Sequence, residues 1–418
     1  MDFFRFLMSD VLSEPAVLVG LIALIGLIAQ KKPVTECIKG TVKTIMGFVI
    51  LGAGAGLVVS SLGDFANIFQ HAFGIQGVVP NNEAIVSVAQ KSFGKEMAMI
   101  MFFAMVINIL IARFTPWKFI FLTGHHTLFM SMMVAVILAT AGMSGVTLIA
   151  VGSLVVGVAM VFFPAIAHPY MKQVTGSDDV AIGHFSTLSY VLAGFIGSKF
   201  GNKEHSTEDM NVPKSLLFLR DTPVAISFTM SIIFLVTCLF AGADVVKELS
   251  GGKNWFMFSI MQSITFAAGV YIILQGVRMV IAEIVPAFKG ISDKLVPNAK
   301  PALDCPVVFP YAPNAVLVGF LSSFAAGLIG MFALYLLNMT VIIPGVVPHF
   351  FVGAAAGVFG NATGGRRGAI LGAFAQGLLI TFLPVFLLPV LGDIGFANTT
   401  FSDADFGALG ILLGIIVR

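Results

Sequence analysis

Several ionisable side chains of this chain occur within long apolar stretches, where a membrane protein tolerates them least. Arg278 and Glu283 lie in LQGVRMVIAEIV, and Asp304 lies in PALDCPVVFPYAPNA. His184 follows AIG at the start of another apolar segment. A charge in the hydrocarbon core of a bilayer costs several kcal/mol unless it is paired or faces a wet cavity. We therefore expect these residues to mark a binding site or a transport pathway.

The segment around Arg278 offers donors and acceptors for a polar ligand. Arg278 and Glu283 lie about 140° apart around a helix, so they do not share one face. Arginine presents a planar fork of donors, and the Gln275 amide both donates and accepts. The segment predicts either contacts with a ligand or a structural pairing of Arg278 with a carboxylate on another helix.

The stretch around Asp304 cannot form a continuous helix, because four prolines lie between residues 301 and 313. Asp304 stands near one end of this stretch, and Pro313 and Asn314 stand at the other. The carboxylate could accept hydrogen bonds from sugar hydroxyls, or serve as a base toward a hydroxyl that is to be phosphorylated. The alternative is that Asp304 caps the segment that follows it.

Two histidines follow a glycine at the start of an apolar segment. They are His125 in LTGHH and His184 in AIGHF. The repeated pattern suggests that both face one polar pocket, as donors to a ligand or as carriers of a proton. The alternative is that each is a packing residue, which is the favoured interpretation for His126, His168 and His349.

Composition defines the class of protein. The chain is 58% hydrophobic and 11% charged, and its mean hydropathy is +0.99. Soluble domains carry roughly 25% charged residues. The net charge of +2 comes without a basic stripe, so nothing indicates nucleic acid. The three cysteines are too widely spaced for a zinc site. We predict an all-α polytopic membrane protein without a metal or another cofactor.

Apolar runs of about 17 or more residues are long enough to cross a bilayer. Two further runs, Ala181–Gly197 and Val347–Gly360, are short and rich in glycine, which predicts re-entrant segments covered by protein. The last run, Phe406–Val417, is too short to span alone. The predicted spans are Pro15–Gln30, Thr44–Ser61, Glu96–Ala112, Phe119–Ala141, Val146–Ile166, Thr222–Ala241, Phe256–Glu283, Ala315–Ile343 and Ala369–Leu391.

A polar stretch in the middle of the chain carries the largest cluster of basic residues. This cluster places the stretch in the cytoplasm. We predict a first half over residues 1–200, a cytoplasmic linker over 201–221, and a second half over 222–418 that holds the polar motifs of residues 275–314. The basic residues are Lys199, Lys203, Lys214 and Arg220.

A weak internal sequence similarity supports a division of the chain into two halves. Ile38–Phe48 is similar to Phe288–Asn298, and Thr123–Gly142 can be laid over Val347–Gly365, which puts His126 opposite His349. Corresponding broken segments in two halves point to a transporter whose substrate lies at the repeat interface. The alternative is that two glycine-rich helices align by chance.

Taken in order, a set of motifs resembles the membrane (IIC) subunit of the ascorbate family of the phosphotransferase system. The resemblance runs from about Lys39 to Gly372. It implies a homodimeric permease in the bacterial cytoplasmic (inner) membrane, with about eleven membrane helices in two inverted repeats. A substrate-binding core domain would move like an elevator against a V-shaped dimerisation domain. The motifs are IKGTVKTIMGF, LTGH, AIGH, QGVRMVIAE, DCPVVFPYAPNAVLVGF, IIPGVVPHFF and GGRRGA.

The resemblance also implies roles for partners and residues. A separate cytoplasmic IIB subunit, supplied by IIA, would phosphorylate the sugar from a phosphocysteine, so no catalytic residue is expected in this chain. His125, His184 and Asp304 would contact the substrate. The pocket would be lined or supported by Gln275, Glu283, Pro313 and Asn314, with Phe185 beside the second histidine.

Some positions depart from the ascorbate pattern. Phe185 stands where we expect glutamine, Phe129 and Met130 stand where we expect amides, and Glu83 aligns with a tyrosine that contacts substrate. Apolar rings cannot hydrogen-bond a lactone, although they can stack on a sugar ring. The substrate is therefore left open between ascorbate and another sugar acid, sugar or polyol.

Two other function classes compete with a permease subunit. In a cation-coupled secondary transporter, Asp304, Glu283 and the histidines would relay protons. It would need an ion gradient and deliver an unmodified solute, whereas the permease subunit needs phosphoenolpyruvate and delivers a phosphorylated one. A membrane enzyme or sensor would need a nucleophile or metal set, and the sequence shows no spacing that supplies one.

Overall fold

The computed structural model describes residues 15–74, 77–210, 215, 218–219, 221–392 and 399–417, and this part of the chain is mostly helical. The α-helices are α1 (Pro15–Ala29), α2 (Val34–Phe73), α3 (Asn82–Phe114), α4 (Gly124–Thr140), α5 (Gly145–Thr175), α6 (Thr187–Phe200), α7 (Thr222–Ala241), α8 (Ala243–Leu249), α9 (Trp255–Leu295), α10 (Pro313–Leu336), α11 (Val346–Leu391) and α12 (Ala404–Val417). Short 3₁₀ helices span Thr207–Asp209 and Cys305–Tyr311.

The long apolar helices fit a multi-pass membrane protein. Among the described residues, five helical stretches are long and apolar enough to cross a bilayer, and the bent pair α7–α8 would make a sixth. The five are α3, α5, α10, α11 and the first part of α9, Trp255–Ile272. The finer expectation of about eleven membrane helices stays a prediction.

Helix α11 is two helices joined at a sharp break. Gly364 and Gly365 have non-helical backbone angles, with φ of +58° at Gly365. A Cβ atom on Gly365 would strike the carbonyl oxygens of Asn202 and His205, so only glycine fits there. Gly360 packs against the backbone of Gly368, so the chain doubles back on itself. The predicted broken segment Val347–Gly360 is the first leg of this hairpin.

In the described part of the chain, six short strands form two three-stranded parallel sheets, which the all-α prediction did not include. The first sheet has the order β5–β1–β6, and the second has the order β2–β4–β3. In each sheet the central strand comes from one half of the chain and both flanking strands come from the other half. The strands are β1 (Gly77–Pro80), β2 (Phe119–Phe121), β3 (Ala181–Ile182), β4 (Lys300–Leu303), β5 (Val341–Ile342) and β6 (Thr399–Thr400).

The sheets correct the predicted span Phe119–Ala141. Its first residues form β2, and only the 17-residue helix α4 remains for the apolar run. The predicted re-entrant segment Ala181–Gly197 likewise starts as strand β3 before helix α6. Each strand leads within a few residues into a helix, and this arrangement places helix starts next to one another.

The beginning of the predicted linker is anchored on the second half. The Asn202 N–H donates to the Gly364 carbonyl at 2.8 Å, and the Arg366 N–H donates to the His205 carbonyl at 2.7 Å. The Thr207 N–H donates to Asn361 Oδ1 at 2.9 Å. Residues 202–207 therefore hold the tip of the α11 hairpin. The predicted basic residues Lys214 and Arg220 lie outside the described residues.

Candidate functional site

A cavity of about 260 Å³ lies where several helices of both halves begin. Asn82 and Glu83 reach it from the start of α3, and His125 from the start of α4. Arg278 reaches it from the middle of α9. The cavity therefore combines groups from both halves of the chain.

Two of the helices that begin at this cavity, α4 and α11, have uncapped N–H groups. The N-terminal N–H groups of a helix are unpaired within the helix and carry partial positive charge, which favours an anion. Among the described residues, α4 and α11 begin without a side-chain cap on these groups. The helices or 3₁₀ helices that begin at its wall are those starting at Asn82, Gly124, Thr187, Cys305, Val346 and Ala404.

Asp304 is the carboxylate that two histidines face. Its Oδ2 lies 3.5 Å from His125 Nε2, and its Oδ1 lies 3.8 Å from His184 Nε2. Oδ1 also accepts the Cys305 N–H at 2.7 Å, so Asp304 caps the 3₁₀ helix. Its side chain is 38% exposed, whereas that of His184 is 4% exposed. A solute in the cavity can therefore reach a carboxylate that is already held in place.

A tyrosine orients His184. The Tyr190 hydroxyl lies 2.8 Å from His184 Nδ1, and the Tyr190 ring stacks on Phe359 with centroids 5.2 Å apart. With Nδ1 engaged, Nε2 is the ring nitrogen that faces Asp304. His184 is thus positioned to donate from Nε2 toward the cavity.

His126 also lines the cavity, although the sequence favoured packing for it. Its ring centroid lies 3.8 Å from that of His184. Its Nδ1 accepts the Phe185 N–H at 3.1 Å, which fixes the ring. The second histidine of LTGHH therefore belongs to the site and joins His125 and His184 there.

Asp403 forms a buried network that sequence reasoning missed. Its carboxylate accepts from Asn82 Nδ2, from Ser186 Oγ at 3.0 Å and from Ser402 Oγ at 2.9 Å. Asn82 in turn accepts the Ser402 N–H at 2.9 Å. The network joins the start of α3 to the segments before α6 and α12. The SDAD motif before an apolar run, typical of a helix start, is the signal that could have revealed it.

Asp405 ties the starts of α6 and α12 together. Its carboxylate accepts the N–H groups of Thr187 and Leu188, each at 2.8 Å, so it caps α6 from another helix. Its own N–H donates to the Phe185 carbonyl at 3.1 Å. These bonds fix the segment that carries His184.

Gln275 and Glu283, two predicted site residues on α9, lie outside the cavity that holds Asp304. Gln275 lines a neighbouring cavity, which it shares with Arg278. Glu283 lies against α2, where a Cβ atom on Gly40 would come within 3.1 Å of its carboxylate. The angular separation inferred from the sequence agrees with this arrangement.

Pro313 and Asn314 lie at the start of α10, outside the cavity that holds Asp304. The Asn314 N–H donates to Glu208 Oε1 at 2.9 Å, and its Nδ2 donates to the carbonyls of Thr207 and Met210 at 3.1 and 3.2 Å. Asn314 therefore holds the polar segment between the halves, because the α10 start faces the 3₁₀ helix Thr207–Asp209.

The Phe185 ring also lies away from the cavity. It is fully buried and stacks on Phe121 with centroids 4.6 Å apart. Phe163 and Phe406 pack against its edge. The side chain of Phe129, by contrast, lines the cavity beside His125. Of the predicted aromatic departures, Phe129 is the one that the structure places at the cavity.

The remaining weaker histidine candidates lie elsewhere. His349 bonds Ser323 at 2.7 Å inside the second half. His168 bonds Asp178 at 2.8 Å, just beyond the end of α5. Hydrogen bonds from Lys172 and Lys300 hold the pKa of Asp178 well below its ordinary value. This cluster joins α5 to strand β4 and is structural.

The ligand atoms of the site are close enough to one another to hold a cation. In three overlapping groups, the donor atoms all lie within 4.8 Å of one another. His126 Nδ1 and the Asp403 carboxylate, however, already have hydrogen-bond partners. The donors with room for a solute are those around Asp304. The groups are His125–His126–Asp304, His126–His184–Asp403 and His184–Asp304–Cys305.

Comparisons with known proteins connect this geometry to a family. A family model described as EIIC-GAT, PTS system sugar-specific permease component, matches residues 10–405. The chain is similar to the "Ascorbate-specific PTS system EIIC component" of Mycoplasma pneumoniae, with 27% identity over 460 aligned residues. The alignment covers 96% of this chain and 67% of the relative.

Proposed function

We propose a function from one premise: this chain belongs to the family of sugar-specific permease components of the phosphotransferase system. It is a multi-pass membrane permease subunit that carries a sugar. The phosphoryl group reaches that sugar through IIA and IIB components, so this chain supplies the binding site and the path across the membrane. We assign it to the bacterial cytoplasmic (inner) membrane.

The sugar that we propose is L-ascorbate or a closely related sugar acid. The relative's name supports this choice. L-Ascorbate is an anion at neutral pH, and Arg278 and the uncapped starts of α4 and α11 at the cavity favour an anion. Phe185 in place of a glutamine does not argue against L-ascorbate, because its ring is fully buried and takes no part in the cavity wall.

We assign the sugar contacts from the exposed polar atoms of the cavity. Asp304 accepts hydrogen bonds from sugar hydroxyls, because its carboxylate is fixed at one oxygen and 38% exposed. His125 and His184 donate from Nε2 beside this carboxylate, and Phe129 forms part of the apolar cavity wall next to His125. The single observation that carries this assignment is the convergence of two imidazoles on one reachable carboxylate.

We also propose that the chain consists of two inverted repeats, over residues 1–200 and 222–418. The element order supports this: apart from the additional short helix α8 and the 3₁₀ helices, each half has a helix, a long helix, a strand, a helix, a strand, two antiparallel legs, a strand and a short helix. The long helices α2 and α9 have 40 and 41 residues, and the final helices α6 and α12 both have 14. The reciprocal strand pairing also supports it.

Membership of the family supports three further proposals. The chain forms a homodimer, its core domain carries the site, and a V-shaped domain holds the dimer. The core would carry the sugar inward by an elevator-type motion for phosphorylation by IIB. We expect the two domains to meet at this cavity, because Arg278 on the long helix α9 and residues at the helix starts line it together.

A cation-coupled transporter remains the second candidate, because the histidine–carboxylate cluster could also relay protons. Uptake into vesicles that contain the chain with its IIA and IIB components separates the two. We expect uptake that requires phosphoenolpyruvate and accumulates a phosphorylated sugar. Uptake of unmodified sugar that follows a proton or sodium gradient without phosphoenolpyruvate would contradict the proposal.

A further inference from the structure

A second cavity, of about 390 Å³, adjoins the site. The two cavities have Arg278, Pro306 and Phe351 as common lining residues. A solute that leaves the first cavity on this side therefore passes between the Arg278 guanidinium and the Phe351 ring. The second cavity also includes Gln275, a predicted site residue that the first cavity does not use.

Polar groups from two helices line this second cavity. Tyr271, Gln275 and Arg278 lie on one face of α9, at spacings of four and three residues, and cover about 10 Å of its length. Asp221 lines the cavity from the start of α7, where its Oδ1 accepts the Val224 N–H at 3.1 Å. Phenol, amide, guanidinium and carboxylate groups suit the hydroxyls and charge of a sugar acid.

A third cavity has an apolar wall and serves as a comparison for the second cavity. It lies between α5 and α12, and its wall consists of aliphatic and phenylalanine side chains such as Leu154, Phe162 and Leu412. Such a wall suits lipid chains. The second cavity differs because it places four polar side chains next to the sugar site.

We infer that the second cavity is the cytoplasmic leg of the sugar pathway, which the sugar enters between Arg278 and Phe351. This inference rests on the proposed function. The side of the membrane follows from Asp221, which directly follows the basic stretch that we assign to the cytoplasm. Sugar released from Asp304 would occupy Gln275 and Tyr271 before it reaches the cytoplasm.

The test compares binding with transport. Ala267 lines the second cavity, whereas the neighbouring Ala268 is exposed on another face of α9. Ala267→Phe narrows the cavity, and Gln275→Ala removes its amide. We expect the Kd for L-ascorbate, measured by calorimetry on purified protein, to stay within twofold in both variants. Phosphoenolpyruvate-dependent uptake should fall at least tenfold in Ala267→Phe and about threefold in Gln275→Ala.

Ala268→Phe is the matched control, and it should leave Kd and uptake within twofold of the wild type. Wild-type uptake in Gln275→Ala, and in Ala267→Phe if that variant folds, would overturn the inference. A tenfold loss of binding in Gln275→Ala would also overturn it, because the second cavity would then be part of the binding site. A wild-type protein that neither binds nor carries L-ascorbate contradicts the proposed substrate, and this inference with it.

Discussion

Two aspartates reach the same cavity from the second half of the chain, yet their surroundings differ. Asp304 follows β4, is 38% exposed and faces two imidazoles at 3.5 and 3.8 Å. Asp403 follows β6, is 4% exposed and accepts from three side chains. Similar strand-to-helix segments therefore carry the same residue type for different purposes. Asp304 leaves part of its carboxylate exposed to the cavity, whereas Asp403 holds the helix starts together.

This difference shows how a duplicated backbone plan can support a single asymmetric site. The two sheets have the same arrangement of a central strand between two strands of the other half. The first half supplies His125, His126 and His184, and the second supplies Asp304 and Asp403. Donor and acceptor groups from both halves therefore line one cavity.

The largest effect that we expect follows from Asp304→Asn. The variant loses charge-assisted hydrogen bonds to the sugar, worth about 1.5–3 kcal/mol each, so the Kd for L-ascorbate should rise at least about 100-fold. Its melting temperature should change little, because asparagine can still accept the Cys305 N–H. Calorimetry and thermal melting measure both quantities. Asp244→Asn, an exposed site on α8, is the control, and unchanged binding in Asp304→Asn would remove Asp304 from the site.

Asp403→Ala should reduce stability more than it reduces sugar affinity. It leaves Asn82, Ser186 and Ser402 without their common acceptor, so the free energy of unfolding should fall by about 2–4 kcal/mol. Chemical denaturation in detergent measures this loss. Sugar affinity of the remaining folded protein should fall less than in Asp304→Asn. A fully stable Asp403→Ala protein that has lost all binding would reverse the roles assigned to the two aspartates.

A smaller effect separates two aromatic positions. Phe129→Gln places an amide at the cavity and should shift the preference between L-ascorbate and a pentitol about fivefold, or about 1 kcal/mol. Both rings are buried, so both variants should lose stability. Phe185→Gln should leave the preference unchanged, because its ring packs on Phe121 away from the cavity. A competition binding assay measures the preference. A shift in Phe185→Gln alone would show that the Phe185 ring reaches the sugar.

The smallest effect concerns Asp178, outside the cavity. Its folded-state pKa is depressed by Lys172 and Lys300, so its contribution to stability is present above the ordinary carboxyl pKa of about 3.9. That contribution is lost as the pH falls from there through the depressed value. Asp178→Asn should lower the melting temperature slightly above pH 7, and the part of this difference that comes from the carboxylate should disappear below about pH 4. A difference that is as large at pH 2 as at pH 7 would contradict the ion cluster.

The sequence predicted much of the fold and part of the site. Apolar runs located the long helices, and α7 coincides with its predicted span Thr222–Ala241. The polar residues His125, His184 and Asp304 come together in the structure, as two Gly-His segments near a proline-rich stretch suggested. Their roles toward a sugar stay predictions.

Other features depend on distant pairing, which local pattern cannot reveal. Asp403 meets Asn82 across 321 positions of the chain, and the short strands pair only between halves. Asn314 contacts the preceding polar segment, because helix α10 begins beside that segment. Ile38–Phe48 lies near the start of α2, whereas Phe288–Asn298 lies at the end of α9. The similarity between these two segments therefore does not follow the order of elements in the two halves.

The most direct test of the central claim is calorimetric titration of L-ascorbate into wild type, His184→Ala and His71→Ala. His184 faces Asp304 at 3.8 Å, whereas His71 is exposed near the end of α2. We predict saturable binding to the wild type and to His71→Ala, and no measurable binding to a folded His184→Ala protein. Equal affinity in all three proteins would contradict a sugar bound at His184 and Asp304.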